Sequence, residues 1–304
     1  MVSRTPKFGI TTYNYPPQEL INLARTAERL GFEGLWFGEH YVIPGAYGSK
    51  HPGIAAGVEH KEDDILSPSV RLYDPWFTLG AIAGATSTLK LGTAICIVPM
   101  MHPLLLARAT ATAYDVSGGR FRLGMGAGWL KEEFDAIGVP FEERGSRLDE
   151  AIDILHKAWA GGFFEHQGKS YSFGEVQITP HPTPVPMVCG GNTGPALRRV
   201  VRVADAWMNS AMVPLDEALR LRDAIEQGRV AAGKTGDPLT YYLRPPEATA
   251  EEAGRFAAEG FDNIVLWGPH VWSPSPDVPL EVKVEGLTRL AADLGVTPLA
   301  TMAA

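Results

Sequence analysis

The sequence alternates eight times between short apolar runs typical of buried β-strands and longer segments with helical periodicity. In the first pair, residues 8–13 (FGITTY) predict a strand and residues 17–31 a helix with Leu20, Leu23 and Ala27 on one face. The other predicted strands are residues 34–39, 90–98, 121–127, 186–191, 205–210, 239–245 and 263–269, each followed by a helical segment. Eight such pairs close a parallel barrel with right-handed crossovers. The predicted fold class is therefore α/β, a (β/α)₈ TIM barrel, in preference to a doubly wound open sheet.

Two segments interrupt this repeat. Residues 41–73 predict a long loop after the second strand, and residues 163–184 predict a small hairpin before the fifth. No linker or low-complexity segment divides the chain, so we predict one barrel domain over residues 1–304 with these two insertions. The first insertion would lie on the C-terminal face of the barrel, where active sites of this fold are built.

Composition excludes several classes of partner. The chain has 27 Lys and Arg against 35 Asp and Glu, a net charge of −8, which gives no basic surface for nucleic acid or for an anionic membrane. The N-terminal segment lacks the apolar stretch of a signal peptide, and no window reaches 18 apolar residues, so we expect a cytoplasmic protein. Cys96 and Cys189 lie in apolar runs without metal-ligand spacing, which predicts buried thiols.

His40 is the best acid–base candidate, because it follows the second strand and because imidazole titrates near neutrality. Glu39 precedes it and would tune its electrostatics. Since neighbours on a strand point to opposite sides, we expect that Glu39 and His40 do not both face the cavity. His102 is a weaker candidate. The sequence contains no HxH or HExxH motif, so no metal site is predicted.

A glycine-rich turn after the fifth strand, GGNTGPALRR (190–199), predicts a phosphate site. Thr193 can cap the following helix, Pro195 suits its first turn, and the N–H groups at a helix N-terminus bind phosphate. Arg198 and Arg199 follow one turn later. The other glycine run, GMGAG (124–128), is GxGxG rather than GxGxxG, and therefore does not indicate a Rossmann fold.

Several stretches together resemble the luciferase-like monooxygenase superfamily. They are GLWFGEH (34–40), LGTAICIVPMMHPLLLAR (91–108), SGGRFRLGMGAGWLKEEF (117–134), GVPFEERGSRLDE (138–150) and PMVCGGNTGPALRRV (186–200). Among its branches, they look most like the actinobacterial enzymes that use the deazaflavin coenzyme F420. The resemblance extends from residue 8 to about residue 270.

The resemblance implies a (β/α)₈ barrel with the cofactor ring at the C-terminal ends of the strands. It implies that Glu39 and His40 lie near the reactive ring carbon, and that the Ala94–Ile95 peptide is cis and supports the ring. The remaining cofactor-binding residues would be Gly126, Ala127 and Gly128 along the ring or ribityl chain, and Gly190, Gly191, Asn192 and Thr193 at the phosphate.

The chain departs from the sugar-phosphate dehydrogenases of this branch at one position. Those enzymes carry a catalytic glutamate directly after the GxG of the fourth strand, where this chain has Trp129. This disfavours oxidation of a sugar phosphate and favours a more apolar substrate. The expected substrate pocket is Tyr47, Trp76, Met100, His102 and Trp129, although plain packing would equally explain such residues.

The predicted function is F420-dependent oxidoreduction, in which hydride passes between the deazaflavin and a small carbonyl, alcohol or activated alkene. The cofactor carries the hydride chemistry, and His40 would donate or accept the proton. Two alternatives remain open: an FMN-dependent monooxygenase that activates oxygen, and a barrel that binds flavin or deazaflavin without turnover. The resemblance also implies a homodimer.

Overall fold

The computed structural model describes residues 6–13, 15–51, 66–68, 70–272 and 278–298. Part of the predicted loop after the second strand, residues 52–65 together with residue 69, lies outside the described residues, as do both ends of the predicted domain.

A closed parallel barrel forms the centre of the structure. The strands are β1 (Lys7–Thr12), β2 (Gly34–Phe37), β3 (Lys90–Thr93), β4 (Cys96–Ile97), β5 (Phe121–Gly126), β6 (Phe163–Gln167), β7 (Ser172–Gln177), β8 (Met187–Gly190), β9 (Ala206–Met208), β10 (Thr240–Leu243) and β11 (Asn263–Trp267). The barrel order is β3-β2-β1-β11-β10-β9-β8-β5-β4, and β3 also pairs with β5, which closes the sheet. Since β3 and β4 are two parts of one barrel strand, the barrel has eight strands, which confirms the predicted fold class.

Helices follow the barrel strands at the predicted places. They are α1 (Pro17–Leu30), α2 (Pro75–Ala85), α3 (Pro103–Val116), α4 (Lys131–Ile137), α5 (Arg144–Trp159), α6 (Gly194–Val203), α7 (Leu215–Ala231), α8 (Ala250–Ala258), α9 (Gly268–Trp272) and α10 (Leu280–Asp293). Prolines occupy the first helical turn of α1, α2, α3 and α6, where their missing N–H costs nothing. The short helices α4 and α9 are additions to the prediction.

The interior of the barrel is filled by large side chains. Trp36 on β2 is buried and its ring packs edge-on against Tyr242 of β10, with 4.8 Å between ring centroids. Gly92 makes room for this indole, because a Cβ at that position would lie 2.5 Å from Trp36 Cζ3. Truncation of a buried aromatic of this size costs roughly 3–5 kcal/mol, so Trp36 is a main contributor to barrel stability.

The predicted insertion before the fifth barrel strand is an antiparallel hairpin of β6 and β7, as expected. Cys96 and Cys189 are buried free thiols, also as expected. None of the described helices is long and apolar enough to cross a membrane.

Candidate active site

A cavity of about 1200 Å³ opens at the C-terminal ends of the barrel strands. Most of the residues that the sequence nominated for the site line it: Glu39, His40, Ala94, Ile95, Gly126, Ala127, Gly128, Trp129, Gly190, Gly191, Asn192 and Thr193. The lining also contains residues that sequence reasoning did not nominate, among them Tyr13, His51, Arg244 and Trp267. The structure therefore brings residues from all eight barrel strands into one space.

His40 is held by a buried carboxylate. Its Nδ1 lies 3.0 Å from Oε2 of Glu133, whose side chain is fully buried. The other oxygen of Glu133 accepts hydrogen bonds from the backbone N–H groups of Tyr41 and Val42. Because a carboxylate only accepts hydrogen bonds, this arrangement places a proton on Nδ1 and turns Nε2 away from Glu133.

Glu133 was present in the family motif, but sequence reasoning assigned it no role. It lies in the first turn of α4, next to Glu132, whose Oε1 accepts hydrogen bonds from Gly48 N (2.7 Å) and Ser49 N (3.2 Å). The two adjacent glutamates thus fix two parts of the chain that follows β2. The sequence does show two adjacent glutamates shortly after the glycine run that ends β5. However, the pairing of Glu133 with His40 spans 93 residues, so no local sequence pattern predicts it.

Aromatic rings enclose the imidazole on two sides. The rings of Tyr13 and Trp129 both lie edge-on to His40, with centroid distances of 5.8 and 5.9 Å. His51 packs edge-on against the other side of Trp129 at 5.1 Å. Such contacts restrict the rotation of His40, so its orientation is fixed by both the hydrogen bond to Glu133 and the packing.

Glu39 corrects one prediction, because Glu39 and His40 both line the cavity. Strand β2 ends at Phe37, so the alternation of side chains does not extend to these residues. The Glu39 carboxylate accepts a hydrogen bond from Ile97 N at 3.1 Å and one from the thiol of Cys96. Burial raises the pKa of Glu39 to about 7, and the hydrogen bonds from Ile97 and Cys96 only partly offset this effect.

Ala94 and Ile95 form part of the cavity wall at the break between β3 and β4. The Ala94–Ile95 peptide is cis, as the family resemblance implies. The Ile95 side chain packs over the glycines of the neighbouring strands, since a Cβ would lie 2.0 Å from it at Gly126 and 2.8 Å from it at Gly190. These two glycines therefore accommodate Ile95, which covers them with an apolar surface.

The turn after β8 presents a helix N-terminus to the cavity. Thr193 is the N-cap residue of α6, but its side chain makes no capping hydrogen bond, contrary to the capping that the sequence suggested. The amide of Asn192 holds the neighbouring turn: its Nδ2 donates to Ser210 O and its Oδ1 accepts from Ser210 N, both at 2.9 Å. The first N–H groups of α6 are thus not consumed by a side-chain cap.

The two arginines of α6 have different surroundings. Arg199 lines the cavity, but its guanidinium is bonded to Asp149 at 2.9 and 3.1 Å. Arg198 is exposed on the helix surface. Among the described residues, no group of three His, Cys, Asp or Glu side chains is placed to hold a metal ion.

Of the five residues expected in the substrate pocket, Trp129 is the one found in the cavity lining of the described chain. Met100 packs with Ile97 and Phe134 in a separate cluster. The other three lie elsewhere: His102 is the N-cap residue of α3 and accepts from Leu104 N, Trp76 contacts Phe121 on the outside of the barrel wall, and Tyr47 belongs to the loop after β2.

Comparisons with other sequences agree with the motif analysis. The sequence profile of the luciferase-like monooxygenase family matches residues 2–272. An uncharacterized protein of Mycobacterium tuberculosis is 29% identical and covers 90% of this chain and 93% of its own length. An F420-dependent glucose-6-phosphate dehydrogenase of Nakamurella multipartita is 28% identical over 94% of this chain and 78% of its own.

Solved structures share the same fold. The monooxygenase RslO1 from Streptomyces bottropensis superposes with a TM-score of 0.69 at 20% identity, covering 95% of this chain and 98% of its own. An F420-dependent secondary alcohol dehydrogenase, solved with an F420–acetone adduct, gives a TM-score of 0.65 at 18% identity over 95% and 84% of the two chains. Since the family profile covers most of the sequence and the barrel is that of its solved neighbours, this chain belongs to the luciferase-like monooxygenase family.

Proposed function

We propose that this protein is a coenzyme F420-dependent oxidoreductase that transfers a hydride between the deazaflavin and a small organic carbonyl, alcohol or activated alkene. The observation that carries the proposal is the His40–Glu133 pair, buried at the edge of a cavity that also has an apolar wall and a free helix N-terminus. These are the three requirements of a site that orients a ring, anchors a phosphate and moves one proton.

The residues present fit this cofactor. Ala94 and Ile95 offer an apolar surface to a flat ring, and Gly126 and Gly190 let Ile95 lie flush with the wall. The N–H groups at the start of α6 suit a phosphate, since they carry the positive end of the helix dipole. When bound, coenzyme F420 supplies the two-electron hydride chemistry that no amino acid side chain provides.

His40 provides the proton transfer in this proposal. Its Nδ1–H is directed to Glu133, so Nε2 is the nitrogen that can take a proton from an alcohol or give one to a carbonyl oxygen. The buried Glu133 stabilises the positive charge that His40 acquires, in the way a carboxylate supports a histidine base in hydrolases. Trp129 and Tyr13 exclude water from the flanks of the ring.

Two relatives support the choice of cofactor. The Nakamurella enzyme and the secondary alcohol dehydrogenase are both F420-dependent according to their names. Trp129 replaces the glutamate expected in the sugar-phosphate dehydrogenases, which favours a less polar substrate than glucose 6-phosphate. The specific alternative is FMN-dependent monooxygenation, because RslO1, a monooxygenase, shares the fold.

Titration of the purified, cofactor-free protein with F420 and with FMN tests the proposal. Quenching of protein fluorescence at low and moderate salt gives the dissociation constant for each. We expect F420 to bind at least tenfold more tightly than FMN, and a panel of carbonyl acceptors to show turnover with the reduced deazaflavin. Tighter binding of FMN would contradict the assignment and favour the monooxygenase. Tight F420 binding without turnover of any acceptor would favour a non-catalytic barrel.

A further inference from the structure

Arg244 is a partly buried cation of the cavity whose guanidinium has no hydrogen-bond or ion-pair partner among the described residues. It follows β10 and lines the cavity, and its guanidinium lies over the ring of Trp267, 5.8 Å from the centroid. Its Nε is buried without a hydrogen-bond partner, and no carboxylate in the described part of the chain offsets its charge. A partly buried cation without an ion-pair partner favours the binding of an anionic ligand beside it.

The backbone of Arg244 is held firmly. Asn209 Oδ1 accepts from Arg244 N at 2.7 Å, and Asn209 Nδ2 donates to Arg244 O at 3.1 Å. Val213 N also donates to Arg244 O at 3.1 Å. Because three hydrogen bonds fix its backbone and Trp267 supports its side chain, Arg244 is preorganised for recognition.

The other arginines in the cavity lining already have partners, and Lys50, which also lines the cavity, is exposed. Arg199 is bonded to Asp149, and Arg144 donates to Phe141 O at 2.9 Å while lying over the Phe141 ring. Burial lowers the pKa of Arg244 to about 10, which still leaves the group charged at neutral pH. The contrast marks Arg244 as the cation available to a ligand.

We propose that Arg244 binds a carboxylate of the substrate, so that the enzyme acts on an organic acid bearing the reducible or oxidisable group. This rests on the proposed function. The planar guanidinium matches the two oxygens of a carboxylate, and its single charge suits a monoanion. Arg244 and His40 stand on opposite sides of β1 and β11, whose ends contribute Tyr13 and Trp267 to the wall between them.

The phosphate of the cofactor has a different place. The turn after β8 offers backbone N–H groups at the start of α6, two barrel strands away from Arg244. If Arg244 binds the substrate rather than the cofactor, it would hold the carboxylate at one end of the substrate. The other end of the substrate would then lie near His40. The substrate class is therefore a small acid with an apolar body.

Benzoate and benzamide are matched probes for this site, because they have the same shape and differ in charge. Calorimetry would measure the binding of each to the F420-loaded protein in wild type, Arg244→Lys, Arg244→Met and Arg255→Met. Arg255 is an exposed arginine of α8, the helix that follows the same strand, and it serves as the control for loss of one positive charge. Inorganic phosphate is a third probe, and thermal melting checks that each variant folds.

We expect wild type to bind benzoate at least tenfold more tightly than benzamide, consistent with a charge-assisted contact. Arg244→Met should abolish this preference, Arg244→Lys should keep part of it, and Arg255→Met should keep all of it. An unchanged preference in a folded Arg244→Met variant would overturn the proposal. So would tighter binding of phosphate than of benzoate.

The cofactor is the other ligand that could bind to Arg244. If Arg244→Met weakens F420 binding tenfold, and benzoate binds only when F420 is absent, Arg244 belongs to the cofactor and the proposal is wrong. If wild type does not bind F420 at all, the proposed function fails. The benzoate preference of the cofactor-free protein then decides the Arg244 proposal separately.

Discussion

The two sides of the cavity rim are built with different chemistry. At the ends of β2 to β5, buried carboxylates hold the rim together: Glu133 accepts from Tyr41 and Val42, and Glu39 accepts from Ile97. At the ends of β8 to β10, asparagines do the same work: Asn192 joins Ser210, and Asn209 joins Arg244. Each side uses polar side chains to fix backbone, but these side chains are carboxyl groups on one side and neutral amides on the other.

This difference separates two tasks. A carboxylate that fixes backbone can also orient a histidine, as Glu133 does for His40. An amide both donates and accepts, so it fixes a turn without adding negative charge. The side with the asparagines therefore remains suitable for the anionic groups that we propose there, the cofactor phosphate at α6 and the substrate carboxylate at Arg244. The proposed function thus places proton transfer and anion binding on opposite sides of one cavity.

The largest expected effect comes from removing the proton-transfer group on the acidic side. His40→Ala should lower kcat by about 10²–10⁴-fold, the usual contribution of a positioned acid or base, while F420 affinity stays within threefold. Steady-state kinetics and the F420 titration measure the two quantities. His181→Ala, an exposed histidine, is the control. Wild-type kcat in His40→Ala would show that the proton comes from another group.

Glu133→Gln tests whether the carboxylate orients His40. The glutamine oxygen would retain the bonds from Tyr41 and Val42, but its NH₂ would face His40 Nδ1 and move the ring proton to Nε2. We expect kcat to fall by about 10²-fold with little change in F420 binding. Imidazole ¹⁵N shifts would report the tautomer directly. Glu132→Gln, which alters the adjacent carboxylate, should leave the tautomer unchanged. An unchanged tautomer in Glu133→Gln would refute the role.

Asn192→Asp tests why the side chains that fix the backbone at the ends of β8 to β10 are neutral amides. The substitution keeps the acceptor for Ser210 N, loses the donor to Ser210 O, and adds a negative charge beside the start of α6. We expect F420 affinity to fall by about tenfold, with Asn192→Ala falling less, because like charge repels phosphate. Asn263→Asp, the same change at the other end of the barrel, is the control. If the Asp and Ala variants lost F420 affinity equally, the added negative charge would not be the cause of the loss.

Glu39→Gln should affect stability rather than catalysis. Burial raises the pKa of Glu39 to about 7 from an ordinary value of 4.5, so the folded protein holds this proton more tightly than the unfolded chain. Wild type therefore loses stability relative to Glu39→Gln as pH rises from 4.5 to 7, by at most about 1.4 kcal/mol per pH unit. Urea unfolding at several pH values measures this. A pH-independent difference would show that Glu39 does not titrate in that range.

The barrel was predictable because it depends on local patterns. Apolar runs and helical periods repeat along the chain, and the predicted helices 17–31 and 103–116 lie within one residue of α1 and α3. The third strand was predicted as continuous over 90–98, whereas the structure breaks it between Thr93 and Cys96. Apolar residues continue across the break, so periodicity alone does not reveal it.

The site was only partly predictable. Glu39, His40 and the turn at 190–193 were found because they stand at strand ends, where position in the sequence fixes position on the rim. Glu133 was missed because its contact with His40 depends on how α4 folds back over the rim. Arg244 was missed because a lone arginine after a strand carries no motif, and the lack of a hydrogen-bond partner for its Nε is visible only in three dimensions.

The most direct test of the account is the cofactor that the protein acquires in a host that makes both F420 and FMN. The protein would be purified from such a host, and the released cofactor identified by its absorbance spectrum and mass. We expect F420 in wild type. The Asn192→Asp variant, altered beside the proposed phosphate site, should retain markedly less F420, and His40→Ala should retain as much as wild type. Recovery of FMN as the main bound cofactor would contradict the account.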